Sequence, residues 1–148
     1  VLVGGVSFLV VYIILNLNIY EPGRFGAARD GNKITDIKQV ELALKLYFKE
    51  EDKYPIVPDG CQIISILDEF LSPTFITQVP HEPPDTSEAT IHSLYEYASS
   101  NDGGEYVLKA TLERPNSPAL SQAGELDGSV LGCGCNDPNY CIGELINK

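Results

Sequence analysis

The sequence predicts an α+β protein in which one long N-terminal helix packs against a small antiparallel sheet. The chain opens with 20 uncharged, mostly apolar residues, an apolar stripe of helical period follows at 27–50, and two alternating segments later flank a turn sequence. With 148 residues, the chain suits one domain plus an appendage. The predicted organisation is an apolar helix with a kink region (1–26) and a head (27–148), which comprises a helix (27–52), a loop region (53–92) and a sheet with a cysteine-rich tail (93–148).

Residues 1–20 form the apolar segment. As a helix they span roughly 30 Å, the thickness of a bilayer core. Gly4 and Gly5 permit close helix approach, and Tyr20 suits a membrane interface. The segment predicts either an ordinary membrane anchor or a helix that packs on other subunits. A secretory signal peptide fits less well, because it starts with a basic region and is cut after its apolar stretch. Since the sequence contains no Met, we expect residues to have been removed ahead of Val1.

Pro22 and Gly23 predict a kink or a locally melted stretch around residues 20–26. The helix then resumes, and one apolar stripe needs a sheet or another helix to cover it. The acidic run 50–52 is unfavourable at a helix C-terminus and, with Pro55 following, marks the end of the helix. The stripe consists of Ile34, Ile37, Val40, Leu44, Tyr47 and Phe48.

After the amphipathic helix, the head continues with a predicted short helix at 61–71. An irregular loop rich in Pro, Ser and Thr follows, and its apolar residues are expected to hold it against the core. Residues 93–99 and 105–113 alternate as half-buried strands do, and the SNDGG between them predicts a hairpin. A third strand is expected near 129–131 or 141–146. The apolar residues expected to hold the loop are Phe75, Ile76 and Val79.

The four cysteines, Cys61, Cys133, Cys135 and Cys141, predict two disulfides in an exported protein. Three pairings are possible, and the pattern does not decide among them. A Cys133–Cys135 bond is the least favourable because its loop is so short, and one long-range bond from Cys61 to the C-terminal cluster is preferred. A soft metal at the C-terminal cysteines is the alternative, and disulfides are favoured over it.

The net charge of −11 lies in the C-terminal part of the chain. Residues 1–53 carry seven basic and seven acidic side chains, whereas residues 54–148 carry three basic and fourteen acidic ones. Such a head repels phosphate, so a nucleic-acid partner is not expected. Solubility explains the acidity most simply, and cation binding is the more specific alternative.

Sequence motifs of catalysis are missing, so we expect neither an enzyme nor a cofactor. The two histidines, His81 and His92, do not have the spacing of metal ligands. The sequence contains no nucleophile elbow, P-loop or dinucleotide-binding fingerprint. A structural or binding role is therefore favoured.

An ordered set of short motifs resembles bacterial type IV pilins and type II secretion pseudopilins over roughly residues 1–113. In that family an apolar helix leads into an amphipathic one, and a loop and a strand pair follow. The motifs here are Ala28-Arg29-Asp30, Asp36-Ile37, Ala43-Leu44, Tyr47 and Tyr54-Pro55, then Leu71-Ser72-Pro73, Phe75-Ile76, Val79-Pro80 and Pro83-Pro84-Asp85, and finally Tyr95-Glu96-Tyr97 and Tyr106-Val107-Leu108-Lys109-Ala110-Thr111-Leu112-Glu113.

The chain departs from this family at its N-terminus. The family usually begins with Phe or Met followed by Thr-Leu-Ile-Glu, and its fifth-place Glu is thought to meet the neighbouring subunit's terminal amine. Here Val1 and Gly5 occupy the first and fifth places. Gly5 allows closer packing but no charge pairing, which fits a divergent major subunit, a minor subunit, or a mature terminus other than Val1. Pro22 agrees with a common kink position in the family.

The resemblance implies an extracellular filament subunit that is inserted in the inner membrane before assembly and then forms a helical homo-oligomer. The alternatives are a pseudopilin that pushes secretion substrates and, from another class, a membrane-anchored binding module with an acidic head. Related pseudopilins bind calcium near their C-terminus, which makes Asp127, Asp137 and Glu144 calcium candidates beside the simpler interpretation of solvated carboxylates. The implied assembly residues are Val1, Leu2, Val3, Gly5, Val6, Phe8, Leu9, Val10, Tyr12, Ile13 and Ile14.

Overall fold

The computed structural model describes residues 23–82 and 94–146. Within them, one long helix packs on a small antiparallel sheet, as the sequence predicts. The elements in chain order are α1 (Gly23–Glu51), β1 (Gln62–Ile63), a 3₁₀ helix (Ile64–Leu67), α2 (Asp68–Leu71), β2 (Glu96–Ser99), β3 (Tyr106–Thr111), a second 3₁₀ helix (Pro118–Ser121), β4 (Ser129–Val130), β5 (Cys133–Gly134) and β6 (Asn139–Glu144).

Helix α1 is already formed at Gly23, where the described part of the chain begins, so the local melting that was one alternative around 20–26 is wrong for residues 23–26. A proline disturbs the helical turn that precedes it, and the residues after it remain free to form a helix. The predicted kink at Pro22 lies outside the described residues.

The end of α1 is close to the predicted one. Asp52 has a positive φ of 55°, and its N–H donates to the Phe48 carbonyl at 2.8 Å. Asp tolerates the left-handed region better than most residues and here occupies the place that glycine usually takes after a helix. The chain then turns back towards the sheet.

The main sheet has the strand order β1-β2-β3-β6, and all its pairs are antiparallel. The predicted β2–β3 hairpin is confirmed, with Tyr97 opposite Leu108. Both candidates for a third strand are strands, but only β6 joins the main sheet, whereas β4 pairs with β5 in a separate two-stranded sheet.

The predicted helix at 61–71 is wrong at its start. Gln62 and Ile63 are extended and pair with β2, and the Ile64 N–H donates to the Tyr95 carbonyl at 2.9 Å. Only the 3₁₀ helix and α2 that follow are helical. Edge pairing with β2 prevails over the helical spacing of the isoleucines, because it supplies backbone hydrogen bonds to residues whose side chains suit either conformation.

The two faces of the sheet are covered by different parts of the chain. On β3, Tyr106, Leu108 and Ala110 lie in the main core with α1. Val107, which points to the other face, packs in a second core with the C-terminal cysteines. Val79 is fully buried in the main core, and Phe75 and Ile76 pack against it, so the predicted attachment of the loop is confirmed for them.

Two disulfides hold the layer on the outer sheet face. Cys61 is bonded to Cys133, and Cys135 to Cys141. This confirms the prediction of two bonds, with one long-range bond from Cys61. The Cys133–Cys135 alternative is absent because all four cysteines are accounted for.

Candidate assembly site at the helix-head junction

None of the residues predicted to pack subunits together falls within the described structure. The predicted assembly residues between 1 and 14 and the kink residue Pro22 lie outside it. Gly23 is the first residue of α1. The described part of the site is therefore the junction through which α1 joins the segment before it to the head.

Asp30 is the most buried charged group of this junction. Its side chain is fully buried, and its two carboxylate oxygens accept hydrogen bonds from the Glu113 N–H at 2.7 Å and from Arg114 Nε at 3.0 Å. Glu113 and Arg114 follow the end of β3. Because a buried carboxylate is costly without such partners, this contact determines where α1 lies on the sheet.

Lys33 lies one turn further along the same face of α1. Its Nζ donates to the Thr111 carbonyl at 2.9 Å and forms an ion pair with Glu82 Oε1 at 2.5 Å. The two charged side chains are only 9% and 7% exposed, so solvent screens the pair little. Lys33 thereby joins α1 to the last strand residue of β3 and to the segment that follows α2.

Arg29 completes the junction at the surface. Its guanidinium meets the Glu113 carboxylate in a two-point contact, with both nitrogen–oxygen distances at 2.5 Å. This geometry fixes orientation as well as distance. Lys33 thus contacts the last residue of β3, and Arg29 and Asp30 contact the two residues 113–114 that come shortly after the strand.

The second half of α1 is held by apolar packing. Ile37, Val40 and Leu44 are fully buried against the tyrosines of the sheet. The Tyr95 hydroxyl donates to Asp36 Oδ2 at 2.8 Å. Burial, and then the bond to Asp36, raise the pKa of Tyr95 above its usual range, because both disfavour the phenolate. The predicted stripe is thus the interface between α1 and the sheet.

The sequence interpretation missed the charged partners of α1. Asp30, Lys33, Ile37 and Val40 follow one another at steps of three, four and three residues, so two charged residues lie in line with the predicted buried stripe. Their position in a stripe that was predicted to be buried indicated that both residues need charged or hydrogen-bonding partners, because unpaired buried charges are costly. The partners themselves were not predictable, because they come from the end of a strand about 80 residues away in the chain.

The predicted calcium ligands are not brought together as a metal centre. Asp127 and Asp137 are exposed, and Glu144 Oε2 accepts a hydrogen bond from the Tyr54 hydroxyl at 2.6 Å. Within 23–82 and 94–146, no group of three or more His, Cys, Asp or Glu residues could hold a metal ion.

An open cleft of about 400 Å³ lies beside the Cys61–Cys133 bond, where the loop after α1 meets the β2–β3 turn. Its lining residues are mostly small, with one carboxylate and no basic residue. The lining residues are Asp59, Gly60, Ser99, Ser100, Asn101, Leu131 and Gly132.

Among the helices in the described part of the chain, none combines the length and the apolar character needed to cross a membrane. The predicted membrane segment, residues 1–20, is outside that part. No protein-family model, curated protein or solved structure matches the chain.

Proposed function

We propose that the protein is a structural subunit of an extracellular filament of the type IV pilin kind. Its N-terminal apolar segments pack together along the filament interior, and its acidic heads cover the surface. The observation that carries the proposal is the helix-head junction. Asp30 and Lys33 bind the start of α1 to the end of β3, close to the uncharged run that precedes the helix.

The mechanism needs no chemical step. It needs a firm mechanical connection between the apolar segment, α1 and the head. Packing of residues 1–14 between copies supplies the free energy of assembly, since van der Waals contacts between the segments replace contacts with lipid and the packed segments stay out of water. A load on one copy's apolar segment reaches the head through α1, because buried ion pairs hold the first half of α1 and apolar packing holds the second.

The subunit is inserted in the membrane before assembly, and the assembled filament is located at the cell surface. Two disulfides among four cysteines support an oxidising compartment for the head. Residues 1–20 are long enough to span a bilayer as a helix. A pseudopilin of a secretion system would assemble in the same way, and its short filament would push secretion substrates.

The proposal is tested by imaging the full chain by electron microscopy after detergent removal. We expect long polymers from the unmodified chain and none from Leu9→Asp, because a charge within the packed segments is not compensated there. Gln122→Asp introduces the same side chain at an exposed head position and should leave polymers intact. Monomers from the unmodified chain under all conditions would contradict the filament function.

The membrane-anchored binding module is the second candidate, and the cleft beside Cys61–Cys133 favours it. Its lining suits a neutral ligand better than an anion, because Asp59 repels negative charge. Ligand-induced changes in the NMR signals of Ser99 and Asn101, in a chain that stays monomeric, would support this candidate over the filament.

A further inference from the structure

The solvent-facing side of α1 has a composition unlike the rest of this acidic protein. Between residues 31 and 49 the exposed side chains of α1 include three lysines, two leucines and no acidic residue, and the exposed Glu50 and Glu51 follow at the end of the helix. Leu42 is 61% exposed and Leu46 is 44% exposed. Residues three and four apart share one side of a helix, so these leucines lie among the lysines. We call this the lysine-leucine face: Lys38, Leu42, Lys45, Leu46 and Lys49.

The sheet and the C-terminal layer have the opposite surface charge. From residue 94 to residue 146, every exposed charged side chain is acidic. The two basic residues of that range are partly buried and paired, Lys109 with Glu96 and Arg114 with Asp30. One molecule therefore presents a basic helix face on one side and an acidic surface on the sheet and the C-terminal layer.

An apolar residue lies among the carboxylates at one end of the head. Ile146 is 66% exposed, the highest value among the large hydrophobic residues that the structure describes. Its N–H donates to Glu105 Oε1 at 2.8 Å. A Cβ added to Gly104 would lie 3.0 Å from Ile146 Cδ1 and 3.3 Å from Asp102 Oδ1, so Ile146 and Asp102 flank the same glycine.

Two further residues complete this surface. Glu144 is exposed and lies two residues before Ile146. Ile56 is 44% exposed and lies beside Gly103, the neighbour of Gly104, and the exposed Lys53 lies beside the same glycine. We call this surface the isoleucine-carboxylate corner: Ile56, Asp102, Glu105, Glu144 and Ile146.

We propose that the lysine-leucine face of one copy docks on the isoleucine-carboxylate corner of a neighbouring copy. Both surfaces have an apolar centre bordered by charge. On the face Lys45 is already paired with Glu41, which leaves Lys38 and Lys49, and the corner has three carboxylates beside one lysine. The net charges are therefore opposite, so docking buries leucine against isoleucine and pairs these two lysines with carboxylates. Two faces of the same kind would instead place lysines against lysines. The contact is thus heterologous, and a heterologous contact that does not close into a ring builds an open chain of copies.

Measured along the direction of the α1 axis, the positions of the two surfaces suit neighbouring copies that point the same way. The corner lies level with the end of α1, because the Tyr54 N–H donates to the Gly103 carbonyl at 2.8 Å and the Tyr54 hydroxyl to Glu144. The centre of the lysine-leucine face lies about seven residues earlier, roughly 10 Å along the axis. Copies that point the same way and are displaced by about that distance bring the surfaces to one level, with their N-terminal segments side by side. The parallel arrangement of the copies rests on the proposed filament function.

The docking is tested with the full chain in a mild non-ionic detergent, which shields the apolar segments and leaves the heads free to associate. Sedimentation velocity at low salt should show concentration-dependent association of the unmodified chain. At about 1 M salt the screening length falls to about 3 Å, and association should weaken about tenfold or more.

Two variants each disable one surface. Lys38→Glu with Lys49→Glu reverses charge on the helix face, and Ile146→Lys places a cation among the carboxylates. Each variant alone should remain monomeric. A 1:1 mixture should form dimers and no longer chains, because only one intact face and one intact corner meet. Lys38→Arg with Lys49→Arg keeps the charge and should associate as the unmodified chain does.

Several outcomes overturn the docking. These are association that does not respond to salt, a mixture that stays monomeric, or either disabled variant associating normally. Binding of polyglutamate to an unmodified chain that never self-associates would assign the face to another acidic partner, which also contradicts the proposal.

Imaging after detergent removal separates this inference from the filament function. Unaltered polymers from the charge-reversed variant would refute the docking and leave the filament function standing. Head association in detergent without any polymers after its removal would support the docking and refute the filament function.

Discussion

Replacing Asp30 with alanine removes the acceptor of two hydrogen bonds that join α1 to the end of β3. The carboxylate is fully buried and receives the Glu113 N–H and Arg114 Nε. A hydrogen bond that involves a charged group contributes about 1.5–3 kcal/mol. The Arg114 side chain is 38% exposed, so water replaces part of what the guanidinium loses. We therefore expect the free energy of unfolding to fall by about 3 kcal/mol.

The loss is measured by urea unfolding of the full chain in a mild detergent, followed by circular dichroism. For a domain of this size, about 3 kcal/mol lowers the melting temperature by about 10 °C. Asp127→Ala is the matched control, because Asp127 is exposed, and it should change stability by about 0.5 kcal/mol or less. Asp30→Asn retains an acceptor for the Glu113 N–H and should lie between the two. Equal stability of Asp30→Ala and Asp127→Ala would refute the role given to the junction.

Two further results follow from the covalent links and from the buried tyrosines. Replacing Cys61 and Cys133 by serine should lower the free energy of unfolding by about 4 kcal/mol, and replacing Cys135 and Cys141 should lower it by about 2 kcal/mol. The first bond joins residues 72 apart in the chain and the second joins residues 6 apart, so the first restricts the unfolded chain more. Equal losses in urea unfolding would contradict this order. Burial raises the pKa of Tyr95 and other core tyrosines, so stability should be complete below pH about 10, the unfolded value, and fall above it. Tyrosinate absorbance should then rise together with unfolding, and ionisation of these tyrosines near pH 10 in a chain that stays folded would show the opposite.

Local patterns predicted the elements that have strong periodicity. The stripe through Ile37 and Leu44 identified α1, and alternation around the SNDGG turn identified β2 and β3. Strand β1 was missed because two residues carry too little pattern, and its pairing with β2 depends on a partner more than 30 residues away. The same limit applies to disulfide pairing, which follows from where the C-terminal layer lies on the sheet.

The candidate site divides in a similar way. The presence of charged residues in the α1 stripe was visible in the sequence, whereas Glu113, Arg114 and Glu82 became their partners only through the fold. The lysine-leucine face depends on the exposure of Leu42 and Leu46, because the sequence does not show whether leucines outside the predicted stripe are covered by another part of the chain. The isoleucine-carboxylate corner joins residues from three parts of the chain and has no local signature.

A helical reconstruction of assembled full-length chain by electron cryo-microscopy tests the filament account most directly. The account predicts polymers in which residues 1–14 of neighbouring copies contact one another in the interior, with α1 leading outward to heads at the surface. Polymers held together by the heads alone, with residues 1–14 exposed to solvent or detergent, would contradict it.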